Sequence, residues 1–347
     1  MRLHGSVRSY DFWRVDVFAE RPLEGNPLAV FPRATGLTDP EMLAITREMN
    51  LSETTFVLPP KDPAANYRNR IFTPGGEIPF AGHPSLGTAF VAAMEGLVPS
   101  QEGAFTIHQE VGIGVLPLEL HMASGWVQRV VMTQGTPKVG KPLRVEAIAK
   151  PVGLRPADIT ATKLRPAIAS TGVPSLQVPV RSVDLVRKME PDARTLSATL
   201  RKIDRDAGAY VFAFIAKGGV DLHARGFFPN HGITEDPATG SAAGACGAFL
   251  AANGRFPKKD WMVIEQGIEV HHPSRIEVSV VTKRNRPVSV QVAGRVVPVM
   301  RGGGSELGNM PRGFPMPCGP TTFGGSTSSR SVPSRGIRWR CSRARQG

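Results

Sequence analysis

The chain has 347 residues, 41% of them hydrophobic, enough to bury a sizeable core across about two domains. Its apolar stretches fall short of the ~20 residues that span a bilayer, and residues 1–15 carry Arg2, Arg8 and Arg14 without a signal-like apolar run, so a cytoplasmic protein with no membrane contact is expected. Seven of the charges in the net +13 are arginines of residues 308–347, a stretch with no lysine and no acid, which leaves only +6 for the first 307 residues and a weak case for nucleic acid.

In chain order, Trp13–Phe18 and Leu28–Phe31 read as short strands separated by the turn Arg21-Pro22-Leu23-Glu24-Gly25-Asn26-Pro27. Thr38-Asp39-Pro40-Glu41 has the form of a helix start with proline just inside. Met42, Leu43, Ile45, Thr46 and Met49 then recur at helical spacing, which predicts a helix ending near Asn50. Strands follow at Thr54–Leu58 and Tyr67–Phe72, then a Pro/Gly-rich loop and a helix from Pro84 to about Glu95, closed by Gly96. Phe105–His108, Gly114–His121 and Trp126–Thr133 read as a meander, and Gln134–Gly140 has linker chemistry.

The second half runs through a similar series. Leu176–Val180, Ala209–Ile215 and Asp221–Phe228 read as strands, with a helix over Pro191–Asp204. A small-residue helix is predicted from Pro237 to Asn253, ended by Gly254, and Trp261–Gln266, Arg275–Thr282 and Val288–Val299 close as strands. His83-Pro84-Ser85-Leu86-Gly87-Thr88-Ala89 lies over Asp236-Pro237-Ala238-Thr239-Gly240-Ser241-Ala242, both reading x-Pro-x-x-Gly-[Ser/Thr]-Ala, so a duplicated domain is expected. Beyond residue 308 the chain is Gly, Pro, Ser, Thr and Arg with no periodic apolar face, and a disordered basic tail is predicted. Three cysteines give no disulfide framework, and only Cys246 lies in the part expected to fold.

A proline at the first helical position puts His83 and Asp236 where an N-cap sits. Two such helix starts offer unpaired amides to a small anion, with Gly87 and Gly240 giving a ligand access to the backbone. Glu53 lies between the first helix and the strand Thr54–Leu58; partial burial there would raise its pKa and suit it to proton transfer. The residues alone leave each group with a plain alternative: a loop acid for Glu53, with Glu77 and Glu235 as competitors, and a helix cap for His83 and Asp236. His271 and His272 are adjacent on an expected strand, pointing to opposite faces, so no shared metal is predicted. Phosphate-loop, dinucleotide and nucleophile-elbow signatures do not occur.

The pieces Val15-Asp16-Val17-Phe18, Gly25-Asn26-Pro27-Leu28-Ala29-Val30, Asn50-Leu51-Ser52-Glu53-Thr54-Thr55-Phe56, Phe80-Ala81-Gly82-His83-Pro84 and Glu235-Asp236-Pro237-Ala238-Thr239-Gly240-Ser241-Ala242 resemble the phenazine-biosynthesis isomerase family over roughly residues 11–307. The resemblance implies an α+β fold of two pseudo-symmetric domains of the diaminopimelate epimerase type, each a curled sheet around a central helix. The expected division is 1–138, 139–287, a strand in 288–307 returning to the first domain, and the tail 308–347. It also implies a cofactor-free, metal-free homodimer. Glu53 would move a proton between carbons of a small carboxylate such as a dihydro-hydroxyanthranilate, with His83 and Asp236 as catalytic partners and Ser52, Gly82, Gly240 and Ser241 lining the site. Members of this fold that racemise with paired cysteines need a thiol at each helix start, and here those starts hold Gly82-His83 and Asp236. An epimerase or racemase, a non-catalytic binding protein and a tail that binds nucleic acid are the competing expectations.

Overall fold

The structure, a computed structural model, describes residues 9–215, 219–284 and 286–303; the tail expected at 308–347, with Cys318 and Cys341, lies outside them. The first half runs β1 (Phe12–Val17), β2 (Asn26–Phe31), α1 (Asp39–Met49), β3 (Thr54–Leu58), β4 (Tyr67–Thr73), β5 (Gly76–Ile78), α2 (Gly82–Met94), β6 (Gly103–Val111), β7 (Gly114–Ala123) and β8 (Trp126–Thr133). Then come β9 (Lys138–Val139), α3 (Val145–Ala149), α4 (Pro156–Thr160), β10 (Ala167–Ser170), β11 (Pro174–Pro179), α5 (Val183–Lys188), α6 (Ala193–Ile203), β12 (Gly208–Phe214), β13 (Leu222–Phe228) and β14 (Ile233–Asp236). The series ends with α7 (Gly240–Ala252), β15 (Met262–Gln266), β16 (Ser274–Lys283), β17 (Arg286–Gly294) and β18 (Val296–Gly302).

All these strands belong to one hydrogen-bonded sheet, an α+β arrangement dominated by β-structure. Most neighbours are antiparallel. The parallel pairs are β2 with β3, β4 with β6, β11 with β12 and β13 with β15, and in each pair a helix lies in the connecting chain. Helix α2 packs on β1, β2, β3, β4, β7, β8 and β18, whereas α7 packs on β9 to β12, β16 and β17; the two helices also touch each other. Both are apolar nearly all round and correspondingly buried, the pattern of a helix enclosed by a curled sheet rather than laid on its surface.

Tight approach of helix to sheet explains the small residues. A Cβ on Gly87 would lie 2.6 Å from Leu28 Cδ2 and 2.9 Å from Val17 Cγ2, so the room at this glycine is filled by β1 and β2 and is not kept for a ligand, contrary to expectation. On α7 the same holds at Gly247, where a Cβ would meet Val278 Cγ1 at 2.6 Å. Helix α1 instead presents Met42 and Ile45 to Phe31, Phe56 and Phe72; Phe31 stacks on Phe56 at 5.1 Å and Phe56 meets Phe72 edge-on at 5.5 Å. Its ends follow the sequence signals: Thr38 N–H donates to Glu41 Oε2 at 2.8 Å and Asn50 closes the helix in the left-handed conformation.

Several expected elements change. Val288–Val299 is two strands, broken at Arg295, whose carbonyl accepts from Phe18 N at 2.8 Å; β17 pairs with β16 and β8, and β18 turns away to pair with β1. The stretch read as linker, Gln134–Gly140, contains β9, which pairs with β10. His271 and His272 follow a 3-10 turn, Ile268–Val270, with His271 at φ 60°, so they do not lie on a strand. Short elements such as β5, β10, β14 and α3 to α5 are too brief to show a period in the sequence.

Candidate active site

Three ionisable side chains far apart in sequence lie close enough to sense one another's charge. Glu53 follows α1, His83 is the second residue of α2 and Asp236 ends β14. Glu53 Oε2 lies 3.5 Å from His83 Nε2, with side-chain exposures of 13% and 9%, and neither atom makes a hydrogen bond among the described residues. Asp236 is 8% exposed and senses both: its charge raises the proton affinity of His83, and the charge of Glu53 raises its own.

Burial sets the protonation of this trio. It pushes Glu53 above the usual carboxylate range, opposed by a hydrogen bond from Ser52. Removal from water lowers His83 to about 4, so the imidazole is neutral at neutral pH despite the pull of Asp236. Burial lifts Asp236 to about 6 against the hydrogen bond from Thr239, the field of His83 and the hydrogen bond from Asn26. The two acids differ in freedom. Asp236 Oδ1 accepts from Asn26 Nδ2 at 2.9 Å and its Oδ2 from Thr239 Oγ1 at 2.6 Å, whereas Glu53 Oε2 is uncommitted.

The rival carboxylates are engaged elsewhere. Glu77 forms a two-pronged ion pair with Arg70, and Glu235 does the same with Arg225 at 2.8 and 2.7 Å. Cys246 is fully buried within α7 and burial drives its thiol pKa up, the wrong direction for a thiolate base.

The expected capping roles are corrected. Helix α2 starts at Gly82 with Ala81 as its N-cap, so His83 is inside the helix; Pro84 then sits third, where its missing N–H is still one of the first-turn amides that need no partner. Asp236 is not a cap either. It still pairs with Gly226 as the end of β14, and α7 begins only at Gly240, after Thr239. Ser52, Gly82 and Ser241 are partly exposed, while Gly240 is buried with a hypothetical Cβ 3.0 Å from Phe18 Cζ.

Sequence reasoning missed Asn26, Thr239 and Gln266. Asn26 lies in a predicted turn and Gln266 ends a predicted strand, and only the fold brings them against Asp236. Gln134, read as linker, donates from Nε2 to the Gly240 carbonyl at 3.2 Å and accepts from Thr171 Oγ1 at 2.5 Å, so it braces the start of α7.

Residues 15–302 match the family described as phenazine biosynthesis-like protein. The chain is 35% identical over 292 residues to the trans-2,3-dihydro-3-hydroxyanthranilate isomerase of Pseudomonas fluorescens, covering 83% of this chain and 96% of that protein. It is 31% identical over 313 residues to an uncharacterised isomerase of Clostridium acetobutylicum, covering 87% and 99%. A solved phenazine biosynthesis protein of the PhzF family from Bacillus anthracis aligns with a TM-score of 0.76 at 28% identity, over 86% of this chain and 100% of that one. A hydroxyproline epimerase of Agrobacterium vitis shares the fold at a TM-score of 0.59 and 18% identity, over 86% and 91%. The fold is therefore that of the epimerase-like α+β isomerases. Within it, the chain belongs to the phenazine biosynthesis-like family and is an isomerase.

Proposed function

We propose that this chain moves a proton between two carbons of a small, conjugated, carboxylate-bearing substrate without a cofactor, with Glu53 serving as base and then as acid. The observation that carries the reading is the largely buried Glu53 carboxyl, its Oε2 uncommitted and 3.5 Å from the unbonded Nε2 of a neutral His83. A carboxyl that burial raises above the usual carboxylate range is the stronger base for it, suited to accept a proton and to return it. Glu53 carboxylate takes a proton from an acidic C–H, and the C–H electron pair shifts into the conjugated system. The resulting Glu53 acid then protonates the far carbon of that system, so no proton is gained or lost overall.

First-turn amides of α2 at Gly82 and of α7 at Gly240 supply donors for the substrate carboxylate and for the negative charge that develops. His83 and Asp236 orient the substrate and set the local charge. Trans-2,3-dihydro-3-hydroxyanthranilate, named for the Pseudomonas relative, is the first compound to test. Incubation in heavy water with wild type and Glu53→Gln decides the matter: wild type should form product, with deuterium at the carbon that Glu53 protonates whenever its acid exchanges with solvent before delivery, and the variant should give neither product nor label. Equal incorporation by the two proteins would remove Glu53 from the reaction.

A further inference from the structure

Gln266 is the last residue of β15 and is fully buried, 0% exposed, behind the stretch that joins β14 to α7. Its Oε1 accepts from Thr239 N–H at 3.1 Å and from the Tyr210 hydroxyl at 3.1 Å. Its Nε2 donates to the Asp236 carbonyl at 2.7 Å and to Thr239 Oγ1 at 3.1 Å. The orientation of the carboxamide is forced, because turning it over would set its NH2 group against the Thr239 N–H and its oxygen against a carbonyl. Gly226 makes room for the assembly: a Cβ there would lie 2.9 Å from Thr239 Oγ1 and 3.1 Å from Gln266 Nε2.

We propose that Gln266 is a positioning residue for Asp236, fixing the backbone from Asp236 to Thr239 and the direction in which the Thr239 hydroxyl donates. A hydroxyl has one proton. Gln266 Nε2–H occupies one lone pair of the Thr239 oxygen and turns the O–H toward Asp236 Oδ2, 2.6 Å away, where it donates to the carboxylate. Asn26 holds the other oxygen, so both hydrogen bonds to the carboxyl favour its ionised form against burial. The other titratable groups facing Asp236 are His83 from α2, Glu53 from the end of the α1 connection and Tyr210 from β12. The charge held on Asp236 therefore reaches Glu53 and His83, and Gln266 acts on the reaction only through Thr239 and Asp236.

This inference rests on the assignment of Glu53, His83 and Asp236 as the active site, and its test separates the two. The Asp236 carboxyl is titrated by carbon-13 NMR in the full chain for wild type, Gln266→Met, Thr239→Val and Thr239→Ser, with the pH dependence of deuterium exchange measured in parallel. In Gln266→Met and Thr239→Val the Asp236 midpoint should rise by about one pH unit, and the acid limb of kcat/KM should move with it. Thr239→Ser, which keeps the hydroxyl, should restore the wild-type values. An Asp236 midpoint unchanged in Gln266→Met and Thr239→Val overturns the proposal; if Gln266→Met does not fold, Thr239→Val decides by the same criterion. Movement of the midpoint in proteins that exchange no deuterium upholds the positioning role and removes the active-site assignment instead.

Discussion

Asn26 Nδ2 donates at 2.9 Å to Asp236 Oδ1 and at 2.9 Å to the Ala238 carbonyl, so a residue of β2 holds the approach to α7 some 210 positions further along the chain. Asn26 is 1% exposed, out of reach of bulk solvent. Asn26→Leu should strip two buried acceptors of their donor and cost about 3 kcal/mol, at roughly 1–3 kcal/mol per unsatisfied group. Urea unfolding gives the stability, and kcat/KM should fall in the same variant because Asp236 loses a partner of its ionised form. An unchanged urea midpoint would show the bridge to be idle.

Glu53→Gln keeps the volume and removes the proton. Since burial disfavours the charged carboxylate, the variant should unfold at a urea concentration no lower than wild type. Its turnover should drop by about a hundredfold or more, the usual scale of a lost acid/base group. A drop in turnover accompanied by an equal loss of folded protein would trace the effect to stability instead.

Stability should respond to pH through opposing groups. His83 titrates near 4 when folded against 6.5 for the free side chain, so between those values the unfolded chain holds the extra proton and stability rises with pH. Asp236 titrates near 6 against 3.8, so over that window the folded chain holds the extra proton and stability falls as pH rises. Asp16, fully buried and also lifted to about 6, acts in the same sense as Asp236. His83→Gln removes the only one of these three terms that favours higher pH. Between pH 4 and 6 the unfolding free energy of the variant should therefore fall more steeply with pH than that of wild type. Urea titrations at half-unit steps would reveal the change of slope, and parallel curves would contradict it.

The elements with a clear period were legible. Alternation located β7 and β8 and helical spacing located α1, because each pattern records which side of one element is buried, while the small-residue run located α7, a helix enclosed on nearly every side. The meeting of Glu53, His83 and Asp236 was legible only through the family resemblance, since nothing local links a residue after α1 to one before α7. The helix starts were misread for a related reason. Proline tolerates any place in the first turn, and where α7 actually begins depends on Gln266 and Asn26, which hold the preceding residues out of the helix from strands distant in sequence.

Gly87→Ala tests the packing that brings α2 against the sheet. The added methyl would press on Leu28 Cδ2 at 2.6 Å and Val17 Cγ2 at 2.9 Å, both in fully buried side chains, and overpacking of this kind costs roughly 1–3 kcal/mol. Combining it with Leu28→Val should recover part of the loss, because space is returned at the point of contact. Thermal unfolding of the single and double variants measures the coupling; simple additivity would mean that the clash is relieved elsewhere.

Truncation at Leu307 tests whether the arginine-rich segment matters to the isomerase. Strand β18 pairs with β1 through Phe12 and Gly302, so a chain ending at Leu307 retains every described strand and helix. It also loses the seven arginines of residues 308–347, and the formal net charge falls from +13 to +6. Deuterium exchange and thermal stability should be unchanged by this truncation. Retention on a polyanion column should weaken, because each cation paired with a phosphate or sulfate adds to the salt dependence of binding. Loss of exchange in the truncated chain would instead make the tail part of the isomerase.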